Sequence, residues 1–133
     1  MNKTTNSRVG ELVQDGLNEH KSGNLDKASL IYREILTLEP HHFDALHLLG
    51  VVHSQKGEFL LAIPLLKRAA KINPNYAAAH NNLGVALQNI GRQIEATKSL
   101  RKAVSLDPNY ADAQFNLGNS LQDSKLYPQA IDA

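Results

Sequence analysis

Asn73-Pro74-Asn75-Tyr76-Ala77 and, 34 residues further on, Asp107-Pro108-Asn109-Tyr110-Ala111 are two copies of one signature. The same step back from Pro74 lands on Pro40. Leu49-Gly50, Leu83-Gly84 and Leu117-Gly118 keep the step, as do Ala28, Ala62, Ala96 and Ala130 and the glycines Gly23, Gly57 and Gly91. Self-similarity at a fixed step of about 20 to 50 residues decides the architecture, because each copy is one unit that buries its apolar face only against its neighbours. The 133 residues are therefore about three and a half stacked units, not one globular domain.

Within each unit the apolar residues recur at helical spacing. Leu83, Ala86, Leu87 and Ile90 form one stripe, and Ile94, Leu100, Ala103, Val104 and Leu106 another. First helices are expected at about 8–22, 43–56, 77–90 and 111–124, and second helices at about 25–38, 58–72 and 93–106 with a stub from Tyr127. Gly23, Gly57 and Gly91 stand where a first helix must stop in a left-handed residue. Pro40, Pro74 and Pro108 close the second helices, and Asn75 and Asn109 are expected to cap the helices that follow. The polar stretch 1–7 lacks periodicity and is expected to be a disordered tail. Units are drawn at about 9–42, 43–76, 77–110 and 111–133, the last truncated within its second helix. The chain is thus expected to be a fragment whose exposed end seeks apolar cover by self-association.

Composition removes several function classes. There is no cysteine, hence no disulfide framework and no thiolate metal site. A formal charge of +1 lacks the basic excess of a nucleic-acid binder, so no nucleic-acid partner is expected. No stretch is apolar enough to span a bilayer and no signal core opens the chain, which sets a cytoplasmic expectation.

The periodic pattern resembles the tetratricopeptide repeat, a helix–turn–helix of 34 residues with a Leu-Gly pair, a small residue in each helix and a closing proline. It is most like the repeat arms of bacterial multi-repeat proteins and of O-linked N-acetylglucosamine transferases. The first unit departs from the pattern, with Asp15-Gly16 in place of Leu-Gly. The resemblance implies an all-α, right-handed solenoid, its first helices lining a concave groove and its second helices forming the outer face. His53 and His80 occupy positions that the family fills with large core residues, and Pro64 interrupts a second helix, where a local kink is expected.

Helix phase places Asp44, His47, Leu48, Val51 and Gln55 on the groove in the second unit. The third unit contributes Ala78, Asn81, Asn82, Val85, Gln88 and Asn89, and the fourth Asp112, Phe115, Asn116, Asn119 and Gln122. Side-chain amides offer a donor and an acceptor together, which suits a peptide backbone of any sequence. Asn82 and Asn116 are one period apart and resemble the asparagine ladder by which transferase arms bind extended polypeptide; Gln14 and Leu48 break the column. Some relatives hold C-terminal carboxylates with Lys, Asn and Arg; the matching positions are Val13, Leu17, Leu48, Ala78 and Asn82, of which only Asn82 could contribute, so that activity is not expected. The outer column Arg33, Lys67 and Arg101 reads as solvated charge. The six histidines show no pair at ligand spacing, and no nucleophile–base set or phosphate-binding loop is present. The expectation is a non-catalytic module without cofactor or metal that binds a protein or extended peptide. The alternatives are an oligomerisation scaffold and the substrate-recruiting arm of a downstream transferase.

Overall fold

The computed structural model describes residues 3–126, with side chains from residue 5 to 123. Among these residues there are seven helices and no strand: α1 (Lys3–Lys21), α2 (Leu25–Leu38), α3 (Phe43–Gln55), α4 (Phe59–Ile72), α5 (Ala77–Asn89), α6 (Gln93–Leu106) and α7 (Ala111–Leu126). The chain is an all-α solenoid. Each helix packs on the next, and the first helices also meet one another, α5 touching both α3 and α7. That extra contact puts α3, α5 and α7 together on one side of the stack, the layer that the family resemblance implies for first helices.

The helices stop where the glycines sit. Gly23, Gly57 and Gly91 have φ of +80°, +76° and +80°, and the second helices end two residues before each proline. The expected caps differ. Asn75 lies one residue too early, because Tyr76 is the N-cap of α5 and makes no side-chain bond. Asn109 is likewise displaced, the Tyr110 carbonyl accepting the first bond of α7 from Gln114. α3 is capped by the His42 ring, whose Nδ1 accepts from the Ala45 amide at 3.1 Å. The expected tail is also corrected: residues 3–7 are the first turns of α1. Extending an existing helix costs little per residue, so polar positions continue it without an apolar stripe. The stub from Tyr127, with Ala130, lies outside the described residues.

Close packing holds each helix pair together. A β-carbon on Gly50 would lie 2.7 Å from the Leu66 side chain, and one on Gly84 would lie 2.6 Å from that of Leu100. Only a residue without a β-carbon admits these leucines, which are wholly buried. The irregular first unit keeps the device, with Gly16 against the buried Tyr32 ring. Ala28, Ala62 and Ala96 are also fully buried. His53 is buried as a core residue, its ring nitrogens meeting Glu58 Oε1 at 3.0 Å and Arg33 Nη2 at 3.5 Å. His80 is half-exposed, with Nε2 2.8 Å from the Pro74 carbonyl. Pro64 lies exposed inside α4, which continues as one helix to Ile72.

Candidate binding groove on the concave face

The inner helices α3, α5 and α7 enclose two adjoining depressions. The first, about 350 Å³, is lined by Val51, Ser54 and Gln55 of α3, Phe59 of α4, and Asn82, Val85 and Asn89 of α5. The second, about 310 Å³, lies between α5 and α7 and is lined by Gln88, Asn89, Asn119, Gln122 and Asp123. Asn89 lines both, so the two depressions adjoin along the stack. Of the positions expected on the groove, Val51, Gln55, Asn82, Val85, Gln88, Asn89, Asn119 and Gln122 line it. Asp44 and Asp112 are exposed in the first turns of α3 and α7 and line neither depression. Phe115 is 70% exposed and also lies outside both.

His47 and Asn81, expected on the surface, are buried in the seam between units. The Asn82 amide nitrogen donates to His47 Nε2 at 2.9 Å, and that of Asn116 donates to Asn81 Oδ1 at 3.0 Å. Each bond joins residues 35 apart, one more than the period. Asn82 and Asn116 therefore do not bond one another. Equivalent positions on packed helices are separated by about the 8–10 Å interaxial spacing, so a seam bond must reach a neighbouring position. Val13 and Leu48, which also stand 35 apart, both pack against the first apolar core. The seam was not visible in the periodicity, which aligns equivalents at 34.

The seam sets the chemistry of the groove floor. As acceptor at Nε2, His47 is neutral with its proton on Nδ1. Burial lowers its pKa, and the nearby Asp44 carboxylate offsets part of that. Its ring stacks on Phe43 at 5.9 Å and meets the edge of Tyr76 at 5.4 Å. Asn81 also donates to the Tyr110 hydroxyl at 3.4 Å. These bonds orient Asn82 and Asn116 and leave their carbonyl oxygens and second N–H groups for other partners. Gln55 accepts at Oε1 from His20 Nε2 at 2.7 Å, and His20 Nδ1 lies 3.3 Å from the Tyr32 hydroxyl, tying α1, α2 and α3 together. Asn89 donates to its own helix at the Val85 carbonyl, 2.8 Å away.

Three lining residues escaped the sequence reading. Ser54 and Asp123 sit one position from expected ones on helices of the right face. Phe59 comes from a second helix at a turn, and no helix-phase argument on first helices finds it. The Ser54 hydroxyl oxygen is shielded and has no partner among the described residues. The outer basic column is partly tied down: Arg33 reaches His53 and Lys67 lies 3.5 Å from Glu95. Among the described residues no three His, Cys, Asp or Glu side chains gather at metal-binding distance, and no helix is long and apolar enough to cross a membrane.

Residues 52–91 and 90–124 match the family model described as TPR repeat. No curated protein matches the chain. A fragment of MamA from Desulfovibrio magneticus RS-1 superposes with a TM-score of 0.84 at 26% identity, covering 93% of this chain and 70% of that one. A variant of the O-GlcNAc transferase of Thermobaculum terrenum gives 0.85 at 30% identity, covering 91% of this chain and 23% of the transferase. The first TPR of Spaghetti (RPAP3), solved with an HSP90 peptide, gives 0.84 at 21% identity over 88% of this chain and 93% of that one, a likeness of fold alone.

Proposed function

Because the chain belongs to the tetratricopeptide-repeat family, we propose that it is a protein-interaction module taking up an extended segment along its concave face. The two depressions adjoining at Asn89 carry this reading. A guest lying along them passes the side-chain amides of Asn82, Gln88, Asn89 and Asn119, whose remaining donors and acceptors suit backbone N–H and C=O groups, with Asn116 held close by in the seam. Val51, Phe59 and Val85 offer apolar contact to a side chain. His47 and Asn81 serve by holding the floor in shape, and Asp44, Asp112 and Phe115 stay exposed on the same inner helices as further contacts for a long guest.

The test is fluorescence titration of the protein against an array of unrelated extended peptides, beside a Gln88→Ala/Asn89→Ala variant. These two side chains line the depressions and hold no seam bond, so thermal unfolding should stay unchanged. Affinity should fall about 3- to 30-fold, the equivalent of losing one or two hydrogen bonds of about 1 kcal/mol. A wild-type protein that binds no peptide sinks the proposal. A second reading, the substrate-recruiting arm of a longer enzyme, is favoured by the transferase likeness, in which 91% of this chain lies on 23% of that protein. The coding sequence flanking residue 133 decides it.

A further inference from the structure

The two depressions of the concave face are one pocket met twice. Gln88, Asn89, Asn119 and Asp123 of the second stand 34 residues after Ser54, Gln55, Val85 and Asn89 of the first. Their linings differ in kind. The second holds only amides and one carboxylate, whereas Val51, Phe59 and Val85 give the first three apolar walls. No side chain lining the first depression carries a charge, so an uncharged, largely apolar side chain gains there by leaving water.

The polar walls of the first depression are held by bonds of their own. Asn82 donates to His47 at 2.9 Å, Gln55 accepts from His20 at 2.7 Å, and Asn89 donates to the Val85 carbonyl at 2.8 Å. Phe59 packs against the buried cluster of Ala62, Ile63, Leu66 and Leu83. A site fixed before its guest arrives loses little entropy on binding. One polar group is left over. The Ser54 hydroxyl oxygen is shielded and, alone among the polar side chains lining this depression, has no partner among the described residues. A shielded hydroxyl without a bond is unfavourable, and a single rotation about the serine Cα–Cβ bond re-aims it.

We infer that the first depression is the anchor pocket of the groove and takes one uncharged side chain with an apolar body and a hydroxyl tip, a tyrosine of the guest. This rests on the groove reading above. The guest ring lies against Phe59 between Val51 and Val85, an aromatic pairing worth more than its buried area alone. Its phenol bonds the Ser54 hydroxyl, either oxygen donating. An aliphatic anchor fills the walls but leaves Ser54 unmet. A charged anchor gives up hydration against walls that hold no counter-charge. The second depression does not compete, because Gln93 stands one period after Phe59 and Asn119 one period after Val85. The anchor therefore fixes the register of the guest, and the residues beyond it pass over amides that bond a backbone of any sequence.

The experiment uses three fluorescent peptides of one Ser- and Gly-rich sequence with Tyr, Phe or Asn at the centre. They are titrated into wild type, Ser54→Ala and Val51→Ala/Val85→Ala. In wild type the Phe peptide should bind about 3- to 30-fold better than the Asn peptide, as partial burial of a ring allows. The Tyr peptide should gain about 2- to 10-fold more, the worth of one hydrogen bond. Ser54→Ala should bind the Tyr and Phe peptides equally and melt no lower than wild type, since the hydroxyl it removes holds no bond. The valine variant should bring both ring peptides toward the Asn level. Equal binding of the three peptides by wild type, or a ring preference untouched in the valine variant, overturns the anchor pocket and leaves the groove standing. A Tyr preference absent from wild type, or surviving in Ser54→Ala, overturns the match of phenol to Ser54. No binding by any peptide overturns the groove and this inference together.

Discussion

His47 shows how one side chain joins two jobs. Its ring is buried between Phe43 and Tyr76 and accepts the amide of Asn82, which only the neutral imidazole does. Burial lowers its pKa below the ordinary 6.5. In that window the unfolded chain binds the extra proton, so stability is full above pH 6.5 and falls as the pH drops through 6.5 toward the folded value. Asn81, one unit on, meets Asn116 without a titrating group. His47→Asn should therefore keep the seam and flatten the loss of melting temperature between about pH 7.5 and 5.5. Thermal melts of both proteins at the two pH values check it, and parallel slopes would refute it.

At the scale of the helix, Pro64 is the local exception. It stands exposed in α4 and deprives the Leu60 carbonyl of its usual N–H partner. Pro64→Ala restores that donor and should stabilise by about 1–3 kcal/mol, given the roughly 3 kcal/mol cost of an interior proline. Urea unfolding reads the gain directly; no change would mean that α4 already accommodates the ring without cost. Helix order and the turn glycines were legible because both follow from a one-dimensional period and from backbone rules that act within a few residues. The helical state of residues 3–7 was not, since a helix extends by small energies that leave no pattern. Nor were the burial of Asn81 and the role of Phe59. Both depend on how adjacent units are rotated and set against each other, and that offset turns a 34-residue repeat into contacts at 35.

At the scale of the molecule, two clusters of buried apolar residues stand out among the described residues. One joins α1, α2 and α3 through Val9, Leu12, Ala28, Tyr32, Ile35, Ala45, Leu49 and Val52; the other joins α4, α5 and α6 through Ala62, Ile63, Leu66, Leu83, Ala86, Leu87 and Ala96. In a stack of nearest-neighbour contacts, damage stays near where it is done. Ile35→Ala, at a fully buried position, should cost about 2–5 kcal/mol and speed amide exchange in α1 to α3 far more than in α5 and α6. Hydrogen exchange by mass spectrometry separates this from a uniform acceleration, which would show a single cooperative block. Each cluster crosses a proline where the sequence repeats, and Leu65 of α4 packs on the first as well, so apolar contact is continuous over the unit borders. The sequence thus repeats in pairs of helices while cohesion is shared among triples, so no single unit can be lifted out of the stack without opening its neighbour.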